Sequence, residues 1–119
     1  MSESALYKDL SICATSLNHR LWRNEIGTAV YRNPSGDIYH VPYGIPGPGG
    51  SDMLGYTLRT ITQDDVGKML PIFTGIEGKA GRKKARANQQ TFLDAITRVG
   101  GYAGVARTID DYRYIVGAK

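Results

Sequence analysis

The sequence predicts a single α/β domain over residues 1–119, with a central mixed β-sheet flanked by helices. Three observations lead to this fold class. Apolar residues recur at helical spacing in two segments, one near the start of the chain and one around residue 90. Short β-prone runs bounded by Gly, Pro and Asn lie between these segments. The second half then has the order strand, helix, strand, which is typical of a unit with parallel strands.

The first predicted helix runs from Ser2 to about Leu17. Its apolar residues recur at steps of four, three and four, and are Leu6, Leu10, Cys13 and Leu17. This spacing predicts one buried stripe, in which Cys13 is a small buried residue. One turn before Leu6 the same stripe reaches Glu3, so a carboxylate stands where a core residue would be expected.

The following segments are predicted to be extended. "RLWRNEIG" has the character of a strand, and the turn cluster "NPSGD" predicts a hairpin that pairs Thr28–Arg32 with Ile38–Val41. "PYGIPGPGG" is too rich in Gly and Pro for regular structure, and it leads into a strand candidate at Ser51. "LPIFTGIEGKA" is the next strand candidate, so Asp52 and Glu77 are expected on neighbouring strands.

A second amphipathic helix follows the basic segment "GRKKAR". Its stripe is Ala85, Gln89, Phe92, Ile96 and Val99, and it ends at a Gly-Gly pair. Gln89 is again a polar residue on an otherwise apolar stripe. "YAGVART" predicts a short strand, and Thr108 is the predicted N-cap of a last helix with Asp110 and Asp111 in its first turn.

Composition limits the classes of function. Fifteen Lys and Arg against 11 Asp and Glu give a net charge of +4, which is compatible with a polyanionic partner. The one cysteine excludes a disulfide within the chain and favours a reducing setting. No segment reaches the apolar length of a membrane span, and "MSESALYKDL" lacks the pattern of a signal peptide. We therefore expect a cytoplasmic protein with no membrane partner.

The functional interpretation of the sequence depends on the pair Glu77 and Lys79. Residues two apart on a strand share a face, so these side chains project together. By itself an acid and a base at this spacing most often form an ion pair on a solvated sheet. Carboxylates that converge with Asp52 and Glu3 would instead need a cation, and Mg²⁺ prefers oxygen ligands. This second interpretation predicts metal-assisted hydrolysis of a phosphodiester, with Gln89 fixing the lysine or a water.

The same residues resemble a known nuclease family in order and spacing. The segments are "ESALYKDL", "LWRNEIG", "YGIPGPGGSD", "IEGK", "QQTFL" and "GGYAGVART", which together extend from Glu3 to about Asp111. They are similar to motifs of the virus-type replication-repair nuclease (VRR-NUC) domain, a branch of the PD-(D/E)XK nucleases. The chain departs from the family at Gly78, where a branched apolar residue is usual, and at Ala80, where Thr or Ser is common.

The resemblance implies a restriction-endonuclease-like fold, similar to Holliday-junction resolvases. It implies a Mg²⁺- or Mn²⁺-dependent, structure-selective DNA endonuclease that cuts branched DNA such as four-way junctions in DNA repair. Small members come chiefly from phages and bacteria and form homodimers, which places this chain in a bacterial or phage-infected cytoplasm. The implied catalytic residues are Glu3, Asp52, Glu77, Lys79 and Gln89. The implied metal ligands are Glu3, Asp52, Glu77 and Gly78.

Several side chains are expected to contact DNA. The basic residues after the predicted active strand are Arg82, Lys83, Lys84 and Arg86, and phosphate contacts of such cations supply much of the affinity for DNA. In an arbitrary protein the same run is usually a solvated loop. The family motifs add Arg23, Asn24, Tyr43 and Ser51. The Gly-rich segment lacks the Gly-Lys-Ser/Thr ending of a P-loop, which excludes that mode of nucleotide binding.

Two other interpretations of the chain remain open. The first is a nucleic-acid-binding module on the same fold with weak or no catalysis. The second is a small basic protein that assembles only with protein partners.

Overall fold

A computed structural model describes residues 2–117 of the chain and confirms the mixed α/β class. The helices are α1 (Glu3–Ser16), α2 (Ala87–Arg98) and α3 (Ile109–Ile115), with a short 3₁₀ turn at Gln63–Asp65. The strands are β1 (Arg20–Arg23), β2 (Gly27–Arg32), β3 (Ile38–Tyr43), β4 (Met53–Tyr56), β5 (Thr74–Gly78) and β6 (Tyr102–Ala106). Within residues 2–117 no helix is both long enough and apolar enough to cross a membrane.

The strands of residues 2–117 form three two-stranded sheets. β1 pairs with β4 and β2 with β3, both antiparallel, whereas β5 pairs with β6 in parallel. The sequence predicted one central mixed sheet, and this detail differs from the structure. The chain divides into two compact units, one that ends at Arg59 and one that begins at Thr60.

In the first unit, α1 lies against β1 with a different face from the one predicted. Tyr7 and Ser11 are half-buried and Ala14 is buried, and the Ser11 hydroxyl donates a hydrogen bond to the carbonyl of Leu21 at 3.0 Å. These residues are spaced four and three apart, so they share one side of the helix.

The predicted buried stripe of α1 is therefore wrong. Leu6, Leu10 and Leu17 are 43, 40 and 58% exposed, and Cys13 is exposed as well. The β1–β4 pair is only two strands wide, so it covers a narrow strip of the helix. Glu3 then needs no core partner, because it lies in the first turn after the Ser2 N-cap, where the helix dipole favours an anion.

The predicted hairpin is confirmed as β2–β3. Its turn is closed by the Asn33 side chain, whose Oδ1 accepts hydrogen bonds from the Asp37 N–H and the Ser35 hydroxyl at 2.9 and 2.8 Å. Tyr31 and Tyr39 lie directly opposite each other and stack at 5.5 Å between ring centroids.

The second unit is the strand, helix, strand arrangement that the sequence predicted. α2 connects the parallel strands and covers one face of the β5–β6 pair, where the ring of Phe92 lies 3.3 Å from the position of a Cβ at Gly75. α3 covers the other face, where Ile115 lies 2.8 Å from the position of a Cβ at Gly104. Thr108 caps α3 as predicted, because its hydroxyl accepts the Asp111 N–H at 3.1 Å.

Among the glycines of the first unit, Gly55 on β4 leaves the least room for a Cβ, and Gly55→Ala is expected to separate β4 from β1. A Cβ at this position would overlap the Arg20 carbonyl oxygen and lie 2.6 Å from its carbon, so a backbone rather than a side chain would have to move. We expect the free energy of unfolding to fall by about 1–3 kcal/mol or more. Fluorescence of Trp22, the single tryptophan, measures this because it lies on β1.

Gly78→Ala is the matched control for this substitution. A Cβ at Gly78 meets nothing within 4 Å, so stability should change by less than about 0.5 kcal/mol or rise slightly. Equal losses of stability in the two variants would contradict the close approach at Gly55.

Candidate functional site

Glu77 and Lys79 share a face of β5, as predicted, and they form an ion pair. The Lys79 Nζ lies 3.5 Å from the Glu77 Oε1, and the two side chains are 17 and 29% exposed. The Lys79 N–H donates to the Ala106 carbonyl at 3.2 Å, which continues the β5–β6 pairing one residue past Gly78. The strand thus holds both side chains at the end of the sheet, partly withdrawn from solvent.

A cavity of about 300 Å³ lies between this face of β5 and the start of α2. Gly75 has no side chain to fill the space, so the helix approaches the strand closely beside Glu77. Glu77 of the strand and two amide residues of the helix, Asn88 and Gln89, thus line the same cavity. Its lining consists of Gly75, Ile76, Glu77, Asn88, Gln89, Phe92 and Leu93.

Gln89 is brought to Glu77 as predicted, but its side chain has a structural role as well. Its Oε1 accepts a hydrogen bond from the Arg86 N–H at 2.8 Å, which satisfies a backbone donor at the start of α2. This contact explains why a polar residue interrupts the helix stripe. The N–H groups of the amide make no hydrogen bond within residues 2–117, so they are the donors that this residue offers to a water or ligand.

Asp52 lies directly before β4 and is held by Tyr7 of α1. The Tyr7 hydroxyl donates a 2.6 Å hydrogen bond to Asp52 Oδ2, while the Arg23 guanidinium lies 3.9 Å from the centroid of the Tyr7 ring. The contact to the ring is a cation–π interaction. One carboxylate oxygen of Asp52 is thereby fixed by a neutral donor.

The pKa of Tyr7 is raised above its usual value. The hydrogen bond to Asp52 is the main cause, and the negative charges of Asp52 and Glu3 add to it, whereas Arg23 opposes it. A phenolate would lose the hydrogen bond and face two carboxylates. Glu3 and Tyr7 are four residues apart on α1, so they lie on the same side of the helix.

The raised pKa predicts a difference between the parent and Tyr7→Phe at alkaline pH. A folded-state pKa above the unfolded value of about 10 gives stability that is fully present below pH 10 and is lost as the pH rises through the folded value. The excess stability of the parent over Tyr7→Phe should therefore be constant between about pH 8 and pH 9 and shrink as the pH rises above about 10. Urea unfolding followed by Trp22 fluorescence measures it, with the exposed Tyr114→Phe as control. A difference that stays constant above about pH 10 would contradict the hydrogen bond.

Asn24 fixes the Gly-rich loop that carries Asp52. Its Nδ2 donates to the carbonyls of Ile45 and Ser51 at 2.6 and 2.8 Å, and its Oδ1 accepts the Ile45 N–H at 3.0 Å. Its backbone N–H donates to the Asp52 carbonyl at 2.8 Å. The side chain predicted to contact DNA is therefore engaged in holding the loop, and a DNA contact of Asn24 stays a prediction.

The other predicted DNA contacts are exposed. Tyr43 is 47% exposed at the end of β3, next to Gly27, and the Ser51 hydroxyl donates to the Met53 carbonyl at 2.8 Å. The segment 80–86, which we call the basic loop, follows Lys79. It presents four exposed cations, Arg82, Lys83, Lys84 and Arg86.

The predicted metal ligands lie in both units. Glu3 and Asp52 belong to the first, and Glu77 and Gly78 belong to the second. Among residues 2–117 no group of three or more His, Cys, Asp and Glu side chains is arranged to hold a metal ion. The structure assembles two partial clusters, Glu3–Tyr7–Asp52 and Glu77–Lys79–Gln89.

Sequence reasoning missed Tyr7 and Arg107. Arg107 donates hydrogen bonds to carbonyls of the basic loop, and Tyr7 holds Asp52. The sequence does indicate that Tyr7 is near the predicted site residue Glu3, because it lies four residues later and so on the same helix face. Arg107 had none, since its partners are more than 20 residues away in sequence.

Comparison of the chain with known protein families, with curated proteins and with solved structures finds no match.

Proposed function

We propose that the chain is a metal-dependent, structure-selective DNA endonuclease with a PD-(D/E)XK fold of the VRR-NUC type. The observation that carries the proposal is the partly buried Glu77–Lys79 pair, which lies beside a cavity lined by Gln89. The cavity is lined by the acid and the amide, and the base is paired with the acid; such groups could orient and activate the water that attacks a phosphodiester.

The chemistry of the side chains fits a hard divalent cation. Carboxylate and carbonyl oxygens are the ligands of Mg²⁺ and Mn²⁺, and the family resemblance assigns them to Glu3, Asp52, Glu77 and Gly78. When bound, such an ion lowers the pKa of a water and neutralises charge on the phosphate. Tyr7 fixes one oxygen of Asp52 and leaves the other for a ligand. Asn24 holds the backbone of the same loop.

In this proposal Lys79 and Gln89 act on the reacting groups directly. The Lys79 ammonium, which Glu77 holds at 3.5 Å, would orient the attacking water or stabilise negative charge on the phosphate. The N–H groups of Gln89 would orient the lysine or the water from the helix side of the cavity. The basic loop would bind the DNA backbone, and the active form would be a homodimer that acts on branched DNA in the cytoplasm.

A second candidate is a nucleic-acid-binding module without catalysis. It is favoured by the ordinary structural roles of Glu3 at a helix start and Gln89 at a cap. Under this interpretation the Glu77–Lys79 pair is a structural ion pair.

One assay separates the two candidates. The purified chain is incubated with a four-way junction, a flap, a splayed duplex and a linear duplex, each with Mg²⁺, Mn²⁺ or EDTA. Metal-dependent cutting of branched DNA is the expected result. Binding in a gel shift without cutting of any substrate would support the binding module. The absence of binding even at low salt would support a protein-assembly role.

A further inference from the structure

The basic loop begins where β5 and β6 end together. The two strands run in parallel, so their carboxyl ends meet at one edge, and the residue after β6 lies beside the loop that follows β5. That residue is Arg107. Its position is thus fixed by the sheet rather than by the loop itself.

Arg107 is hydrogen-bonded to the loop backbone at two points. Its Nε donates to the Gly81 carbonyl at 2.9 Å, and its Nη2 donates to the Lys83 carbonyl. Within the loop itself, the Lys83 N–H donates to the Ala80 carbonyl at 3.3 Å, which closes a turn around Gly81. The guanidinium therefore faces carbonyl oxygens, which are neutral acceptors, rather than a carboxylate.

The start of α3 holds Arg107 in place through its backbone. The Arg107 N–H donates to Asp111 Oδ2 at 2.8 Å, and Thr108 caps the same helix. The first contact uses the main chain of Arg107 and the second does not involve Arg107, so replacing its side chain leaves both intact.

We propose that Arg107 is a positioning residue, which holds the basic loop in a preformed shape that presents its cations to the phosphate backbone of duplex DNA. This inference rests on the DNA binding in the proposed function and adds a residue that the family resemblance does not assign. A loop that is ordered before binding loses less conformational entropy when it binds, so affinity rises without a new contact to DNA.

Arginine suits this role better than lysine. Its planar fork donates in fixed directions to two acceptors at once, whereas a lysine ammonium is a single flexible point charge. The number of phosphates that the loop neutralises depends on its own four cations. Removing Arg107 should therefore weaken binding without changing the dependence of affinity on salt.

The test measures duplex binding by fluorescence anisotropy over a series of salt concentrations. EDTA is present, so binding is measured apart from cleavage. The variants are Arg107→Ala, Arg107→Lys and Arg113→Ala. Arg113 is the matched control, because it is an exposed arginine of α3 whose ion pair with Asp110 is on the surface and whose loss changes net charge equally.

For Arg107→Ala we expect affinity on the order of 10-fold lower with an unchanged slope of log affinity against log salt. For Arg107→Lys we expect a weakening of several-fold in spite of the retained charge. Arg113→Ala should stay within about two-fold of the parent. Circular dichroism of each variant should match the parent, because α3 keeps its cap.

Three results would overturn the inference. Equal affinities for Arg107→Ala and Arg113→Ala, or a parental affinity for Arg107→Lys, would mean that Arg107 contributes only its positive charge to binding. A slope that falls by about 0.9 would make Arg107 itself a phosphate contact. If the parent protein bound no duplex at low salt, both this inference and the DNA-binding part of the proposed function would be overturned. The first two results would overturn only this inference.

Discussion

Glu77→Gln is expected to reduce metal-dependent cleavage of a four-way junction by roughly 10²–10³-fold, or more, while leaving binding of the junction intact. The substitution keeps the shape and hydrogen-bonding reach of the side chain and removes its charge. Under the proposed function a metal ligand would be lost, and Lys79 loses the anion that lies 3.5 Å from its Nζ. Cleavage and binding are measured on the same junction, with Mg²⁺ or Mn²⁺ for cleavage and EDTA for binding.

The separation of cleavage from binding makes this prediction specific. Loss of a negative charge next to the basic loop should leave affinity for DNA equal or slightly higher, since phosphate repulsion decreases. A variant that merely unfolds would lose both activities. A catalytic role for Glu77 therefore requires the two measurements to diverge.

Glu25→Gln is the matched control, because Glu25 is an exposed carboxylate outside the candidate site and its loss changes net charge equally. Its cleavage rate should equal that of the parent. If Glu77→Gln also cleaved at the parental rate, the ion pair would be structural and the binding module would become the better interpretation.

The second unit was predictable from the sequence because its signals are local and agree with one another. The alternation around Glu77 places it on the same face as Lys79, and the structure confirms this. Of the predicted stripe, Ile96 is buried, whereas Phe92 and Val99 are 43 and 36% exposed. The Gly pair after Val99 ends the helix. Strand, helix and strand follow in a short stretch, so little depends on distant contacts.

The first unit shows why a periodic pattern does not identify its partner. The apolar stripe of α1 has correct helical spacing, yet the face that packs on β1 is set by the Tyr7 and Ser11 hydroxyls and by the small Ala14. A pattern of apolar residues predicts which side chains share a face. It does not predict whether a sheet wide enough to cover them is present.

The candidate site was predicted in part for the same reason. The identities of Glu77, Lys79 and Gln89 follow from strand and helix spacing, and the structure brings them together. The contacts of Tyr7 with Asp52 and of Arg107 with the basic loop span 45 and more than 20 residues of sequence. Such contacts depend on how elements pack, which spacing along one chain does not specify.

Ile96→Ala is expected to lower the free energy of unfolding by about 2–5 kcal/mol. Ile96 is 1% exposed on α2, and within residues 2–117 the buried apolar side chains are Ala14, Leu93 and Ile96. Since two of these three lie on α2, the second unit has a small core, and truncation of Ile96 removes a large part of it. Urea unfolding followed by far-ultraviolet circular dichroism measures the loss.

A graded series shows whether burial causes this loss. Ile96→Val removes one methyl group and should cost about 0.5–1.5 kcal/mol, whereas Ile109→Ala, at a site that is 73% exposed, should change stability by no more than about 0.5 kcal/mol. Equal costs for Ile96→Ala and Ile109→Ala would contradict the packing of α2 on the sheet.

The Ile96 variants also test whether cleavage depends on the packing of α2, because this helix carries Gln89, which lines the cavity beside Glu77. Folded Ile96→Val should cleave at the parental rate, and an activity loss larger than its unfolded fraction would show that the helix must be held rigidly for catalysis.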